Sequence, residues 1–229
     1  MELNFYDYLP MITQGGYHVL IAGCTGSGKS VMLNGLILHT LTIPGSGLYL
    51  IDPKRVELSC YQPSSHCISY GDTYETIEDT LKKAVAEMKF RFSEMKFLGI
   101  RKTFREPRYI IIDELAQFSH KVNKEYAKLN PLLSELATLG RAANMFLIAC
   151  TQRPTNDTIT PLFKINCDCK IALRCATEQE SRNIIEISDA RYLPKHGQCI
   201  IRHPDLLEPM IYPVDYYEDA FIENFARTT

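Results

Sequence analysis

The sequence has no apolar run approaching the roughly 18–20 residues that cross a bilayer, so no direct membrane insertion is expected. The first residues, Met1 to Tyr8, lack both a basic stretch and an apolar stretch and do not read as a signal peptide. Together these shortages predict a cytoplasmic protein, attached to a membrane at most through a partner. Charge of one sign is also lacking: 25 Lys and Arg stand against 27 Asp and Glu, a net charge of −2. That argues against a surface coated in basic residues, while leaving room for a few Lys or Arg lining a pore. The eight cysteines form no Cys-x-x-Cys pair and no zinc-type cluster. They read as reduced, mostly buried thiols, with Cys167-x-Cys169 the weaker alternative of a metal site. There is no internal repeat, low-complexity tract or long linker.

What is present is an ordinary globular composition, 45% hydrophobic and 23% charged over 229 residues. One domain over 1–229 is the economical expectation, with a short lead-in at 1–16 and late strands and a tail from about 198 to 229. Apolar runs alternate with helical patterns, the signature of an α/β fold with a mostly parallel sheet flanked by helices. Strands are expected at His18–Ala22, Leu48–Ile51, Tyr109–Ile112, Met145–Cys150 and Ile171–Leu173. Gly45-Ser-Gly47 reads as a turn. Helices are expected at Ser30–Thr40, after Asn130-Pro131, and from Thr177 through about Ile187, where Glu180 completes a capping box. Asp72 with Glu75 suggests another capping box, opening a long helix that ends near Gly99. Its stripe of Ile77, Leu81, Val85, Met88, Phe92 and Met95 has the spacing of a core-facing surface. Cys199–Ile201 and Met210–Tyr212 read as late antiparallel strands.

Residues 23–30 read Gly23-Cys24-Thr25-Gly26-Ser27-Gly28-Lys29-Ser30, the complete P-loop pattern between a strand and a helix. Glycines there let backbone N–H groups converge on phosphate oxygens, and the helix behind them presents its positive end to the same anion. Lys29 is expected to reach the β- and γ-phosphates of ATP, and the Ser30 hydroxyl to hold Mg2+. Asp113 and Glu114 end the apolar run Tyr109–Ile112. Buried strands rarely end in two acids without a cation or hydrogen bonds nearby. Asp113 is assigned to Mg2+ and Glu114 to the attacking water, which favours a hydrolase over a kinase. Gln152 ends the next buried run; its amide senses the γ-phosphate or positions water, unless it is a plain loop glutamine.

Five segments, Ala22–Ser30, Leu50–Leu58, Ile111–Glu114, Gly140–Ala143 and Ala149–Pro154, resemble the FtsK/SpoIIIE DNA translocases. So do Asp157–Asn166 and Ser181–Ile185, and the resemblance runs in unbroken order over about 15–215. Ile51-Asp-Pro-Lys54 and Thr151-Gln-Arg-Pro154, in register with the P-loop, are the specific parts. The resemblance implies a RecA-like motor that assembles into a hexameric ring and moves double-stranded DNA with ATP. It covers the motor core only, with no winged helix. This favours a plasmid, conjugative element or phage, with a separate targeting or initiator protein. Two other motors remain as alternatives: a single-stranded DNA coupling ATPase of conjugation, and a protein-moving ATPase of the type VII secretion kind.

The ring gives meaning to two arginines. Arg141, at the end of the helix after the acid pair, is the candidate that completes a neighbour's site, unless it is a surface residue at a helix C-terminus. Arg182 is the competing candidate for a neighbour's nucleotide. For DNA, the segment 155–170 carries Lys164 and Lys170, which the resemblance makes candidates for backbone contact. The plainer reading of Lys170 is that it opens the following strand.

Overall fold

The computed structural model describes residues 8–152, 154–155 and 161–229, the last including Pro161 and Leu162 as backbone only. The chain runs through α1 (Tyr8–Gln14), β1 (Val19–Ala22), α2 (Lys29–Leu41), β2 (Gly47–Ile51) and β3 (Cys67–Gly71). It continues with α3 (Tyr74–Leu98), β4 (Arg108–Ile112), α4 (Asn130–Leu139), β5 (Met145–Thr151) and α5 (Pro161–Asn166). It ends with β6 (Cys169–Ala172), α6 (Glu178–Ile185), β7 (Gln198–Arg202), β8 (Met210–Pro213) and α7 (Asp219–Thr228). All the strands join one sheet in the order β3-β2-β4-β5-β1-β6-β7-β8. The first six in that order are parallel; β7 and β8 are antiparallel additions at one edge.

The central strands are buried on both faces, which is why they read as continuous apolar runs. Alternate residues nevertheless go to different cores. Ile21, Tyr109, Ile111, Phe146, Ile148 and Cys150 pack with the buried side of α2. Leu20, Ile110, Ile112, Met145, Leu147 and Ala149 pack with α3 and α4. A smaller cluster under α6 joins Ala172, Ile184, Ile185 and Ile200.

Several expectations move by a residue or more. The capping box of α3 is Thr73 with Thr76, one place beyond Asp72 and Glu75, and Gly99 ends that helix with φ 66°. Asp72 instead accepts from the Thr76 hydroxyl at 3.3 Å. Gly47 belongs to β2 rather than to the turn before it. Lys170 lies inside β6, opposite Arg202 of β7, rather than ahead of a strand beginning at Ile171. The helix α6 stops at Ile185 because Glu186 turns left-handed, at φ 68°. The lead-in contains α1, whose Tyr8, Leu9 and Ile12 are buried against α2, and the tail contains α7. Among the described residues no helix is long and apolar enough to cross a membrane.

Candidate active site

The register of the sheet gathers the predicted residues at one edge. Ala22 pairs with Thr151, and Ile112 pairs with both Ala149 and Ile51. The residues that follow, the P-loop after β1, Gln152 after β5, Asp113-Glu114 after β4 and Lys54 after β2, therefore emerge side by side. Ligands of open α/β sheets bind at this C-terminal edge of the strands. A cleft of about 690 Å³ opens there, lined by P-loop residues 25–30 together with Lys54, Asp113 and Gln152. Leu173, Val214 and Tyr216 form an apolar side of the same cleft.

Two glycines show why the loop takes this sequence. Gly28 has φ 96°, a conformation that a side chain would strain, and it opens α2. A Cβ on Gly23 would lie 2.6 Å from Oγ of Ser27 and 3.0 Å from Cβ of Leu173. Lys29 is almost entirely covered and folds back on its own loop, donating to the carbonyls of Gly23 and Cys24, both at 2.9 Å. Burial holds its ammonium below the usual lysine range. Thr25 and Gly26 are exposed, Cys24, Gly28 and Ser30 half-buried, and the Ser27 hydroxyl is buried without a hydrogen-bond partner.

The acid pair is buried as well, Asp113 at 7% and Glu114 at 4% exposure. Burial pushes the Asp113 carboxyl up to about 6, with Lys54 pulling the other way. Among the described residues its Oδ2 accepts no hydrogen bond, and Nζ of Lys54 stands 3.8 Å from it. Glu114 accepts from Lys54 Nζ at 2.9 Å and from the backbone N–H of Gln152 at 3.2 Å. It also caps the short 3-10 turn Leu115–Phe118 through Ala116 N–H. Lys54 is a site residue that sequence reasoning does not assign, although its segment carries part of the family resemblance. Burial is the strongest single influence on its ammonium and lowers it, but Glu114 and Asp113 together raise it above the usual value.

The buried Asp113 Oδ2 and the buried Ser27 hydroxyl, neither hydrogen-bonded among the described residues, fit a site for a metal-bound polyphosphate. Asp113 and Ser30 are the residues that would hold Mg2+. Among the described residues no cluster of three or more His, Cys, Asp or Glu offers a second kind of metal site.

The other candidates lie elsewhere. Arg141 sits in the 3-10 turn Gly140–Ala143 that precedes β5, at the opposite end of the sheet from the P-loop. Its guanidinium stacks 5.1 Å over the Tyr17 ring, donates to Gly16 O at 3.1 Å and pairs with Asp168. Arg182 is half-exposed on α6 and pairs with Glu178 at 2.9 Å. Lys170 is largely covered in β6 and lies 3.5 Å from Glu186. Lys164, on α5, is held below the usual lysine range by partial burial and then by the charge of Lys170. Arg153 and residues 157–160, parts of the segments read as family-like, lie outside the described residues, as does part of the 155–170 segment.

A family model described as the FtsK/SpoIIIE family matches residues 6–109. A DNA translocase FtsK of Pseudomonas aeruginosa is 33% identical over 227 residues, covering 82% of this chain and 28% of that protein. The DNA translocase FtsK of Halalkalibacterium halodurans is 32% identical over 233 residues, covering 92% of this chain and 29% of its own length. The chain thus spans less than a third of these relatives. Among solved structures, the pCW3 conjugation coupling protein TcpA, in a monomer form with ATPγS, superposes with a TM-score of 0.81 at 24% identity. That match covers 93% of this chain and 64% of the other. The cytoplasmic domain of the Thermomonospora curvata type VII secretion ATPase EccC gives 0.72 at 19% identity, over 92% of this chain and 27% of that one. The genome packaging NTPase B204 of Sulfolobus turreted icosahedral virus 2, in complex with AMPPCP, gives 0.58 at 18%, over 87% and 98%. These likenesses establish the fold as that of RecA-like P-loop NTPases, and the sequence relatives place this chain in the FtsK/SpoIIIE family of P-loop ATPases.

Proposed function

We propose that the chain is the ATP-hydrolysing motor of a DNA-transfer machine. The observation that carries this reading is Asp113 lining the same cleft as the P-loop, with Glu114 next to it in the chain and with Oδ2 of Asp113 buried and without a hydrogen-bond partner among the described residues. Backbone N–H groups of residues 24–29 and the N-terminus of α2 bind the phosphates, and Lys29 exchanges its two carbonyl partners for phosphate oxygens. Leu173, Val214 and Tyr216 offer an apolar side to the nucleobase. Ser30 and Asp113 would hold Mg2+, which would supply positive charge where the phosphates accumulate negative charge. Glu114 takes the proton of the attacking water, and Gln152 orients that water or the γ-phosphate.

A ring supplies the remaining charge. Cyclic assemblies use heterologous contacts, in which one surface of a subunit meets a different surface of the next. A residue that completes a neighbour's nucleotide site must therefore lie away from its own P-loop. Arg141, at the far end of the sheet, meets that condition. We assign it to the neighbour's γ-phosphate in a hexamer, with Arg182 as the competing candidate. Lys164 and Lys170 remain the proposed DNA-backbone contacts, and a separate initiator protein the proposed source of targeting.

Relatives named as DNA translocases support movement of DNA, which the first reading takes to be duplex. The likeness to a conjugation coupling protein, the highest TM-score of the structures described, favours a second reading in which the moving substrate is the single strand of conjugative transfer. ATP turnover measured with duplex, single-stranded and no DNA tests both. Stimulation by duplex supports the translocase, and stimulation by single strand alone supports the coupling ATPase. Turnover indifferent to either would remove DNA from the mechanism.

A further inference from the structure

Among the described residues, three donors hold the Glu114 carboxylate, and one of them is a side chain. Oε1 accepts from the backbone N–H of Ala116 at 3.4 Å and of Gln152 at 3.2 Å. Oε2 accepts from Nζ of Lys54 at 2.9 Å. The same ammonium lies 3.8 Å from Asp113 Oδ2. A single positive charge therefore stands against both acids.

The loop that carries Lys54 is fixed at both ends. It leaves β2 beside β4, and the buried carboxylate of Asp52 accepts from Leu58 N–H at 3.0 Å, closing it. Arg55 takes φ 61°, uncommon for a residue with a Cβ, and its Nε donates to Asp72 O at 3.2 Å. Lys54 itself keeps 32% of its side chain exposed and lines the cleft. A fixed backbone thus presents a long side chain that has room to swing.

We propose that Lys54 is the counter-ion of the acid pair, and that its ammonium must leave Glu114 before Oε2 can receive a proton from water. The proposal rests on the nucleotide site described above. An ammonium and a divalent cation drawn to the same two carboxylates repel one another at these distances. A metal held at Asp113 would repel the Lys54 ammonium, so that Glu114 would be freed only in a filled site. Lys54 is a positioning residue that acts through Glu114, and it makes turnover contingent on a loaded site.

The test is binding of a fluorescent ATPγS analogue, titrated with Mg2+, to the wild type and to Lys54→Met, Lys54→Gln and Lys54→Arg. Without the competing ammonium, the half-saturating Mg2+ concentration should fall about tenfold in both neutral variants. It should return toward the wild-type value in Lys54→Arg, and affinity without Mg2+ should hold within about twofold in all of them. An unchanged Mg2+ requirement in Met and Gln variants that fold normally would overturn the proposal. So would a large loss of Mg2+-free nucleotide affinity, since Lys54 would then be a phosphate ligand. Asp113→Asn separates the two levels. If it raises the Mg2+ requirement while the Lys54 variants change nothing, the metal site stands and only the counter-ion falls. If Asp113→Asn changes nothing, both fall.

Discussion

Thr25 donates its hydroxyl to Oε1 of Gln152 across 3.1 Å, tying the exposed crest of the P-loop to the end of β5. The backbone N–H of the same glutamine donates to Glu114. Gln152 therefore touches both the P-loop and Glu114, the proposed base. Gln152→Ala should leave nucleotide affinity nearly intact and slow turnover by about 10²-fold or more, the range for a group that positions the reacting water. Thr25→Ala, which releases only the side chain, should have the smaller effect. Equal turnover in Gln152→Ala and wild type would reduce Gln152 to a loop residue.

The Asp113 carboxyl gives a pH signature. Burial raises it from an ordinary 3.8 to about 6. The folded state then holds this proton more tightly than the unfolded chain. Its contribution to stability is present below the unfolded value and is lost as pH rises through about 6. A shift of two units corresponds to at most about 3 kcal/mol. The difference in thermal midpoint between Asp113→Asn and wild type, without nucleotide, should widen in favour of the variant from pH 4 to 6 and stay level above. A difference that is flat with pH would contradict the burial argument.

Arg91 is a prediction about stability alone. It is fully buried on α3, donates to the carbonyls of Ala143 at 2.8 Å and Glu106 at 2.9 Å, and pairs with Glu87 at 2.7 Å. Glu87 also accepts from Arg108 at 2.9 Å and from the Tyr49 hydroxyl at 2.6 Å. Arg91→Met strands two carbonyls and removes one of the two arginines that pair with Glu87. It should cost about 3 kcal/mol in urea unfolding while leaving nucleotide affinity in the folded protein unchanged. A loss below about 1 kcal/mol would mean that water replaces the guanidinium.

Arg141 tests the ring. Arg141→Ala should spare ATP binding and lower turnover by about 10³-fold or more, by analogy with arginine fingers. Mixing it with Glu114→Gln subunits should restore activity where an intact Glu114 meets an intact Arg141. A slow mutant that mixing fails to rescue would place Arg141 in its own subunit's chemistry. Full turnover would leave it as the partner of Asp168 and Tyr17. The same mixing with Arg182→Ala decides between the two arginines.

How much of the molecule is legible in its sequence follows from how local each signal is. The P-loop, the helix behind it and the acid pair are each contiguous, so local pattern alone places β1, α2 and the end of β4. The strand β3 has no such pattern, because Cys67-Ile-Ser-Tyr-Gly71 forms a half-exposed edge and mixes polar with apolar residues. The helix α7 carries a stripe of Phe221, Ile222, Phe225 and Ala226 packed on the core, but it spans only ten residues and has no side-chain N-cap to announce it. Lys54 is silent in the sequence because its meaning depends on a partner 60 residues away, brought close by the pairing of β2 with β4. The place of Arg141 at the far end of the sheet likewise depends on strand direction, which no local pattern carries.

The folded-back Lys29 has a consequence for the end of the reaction cycle. With its ammonium satisfied by Gly23 and Cys24, the loop carries a ready-made set of internal bonds. Departing product does not strand a buried cation, so release carries no large electrostatic penalty of its own. On the reading proposed above, the same lysine would serve the cradle both while a triphosphate is held and after the spent nucleotide has left.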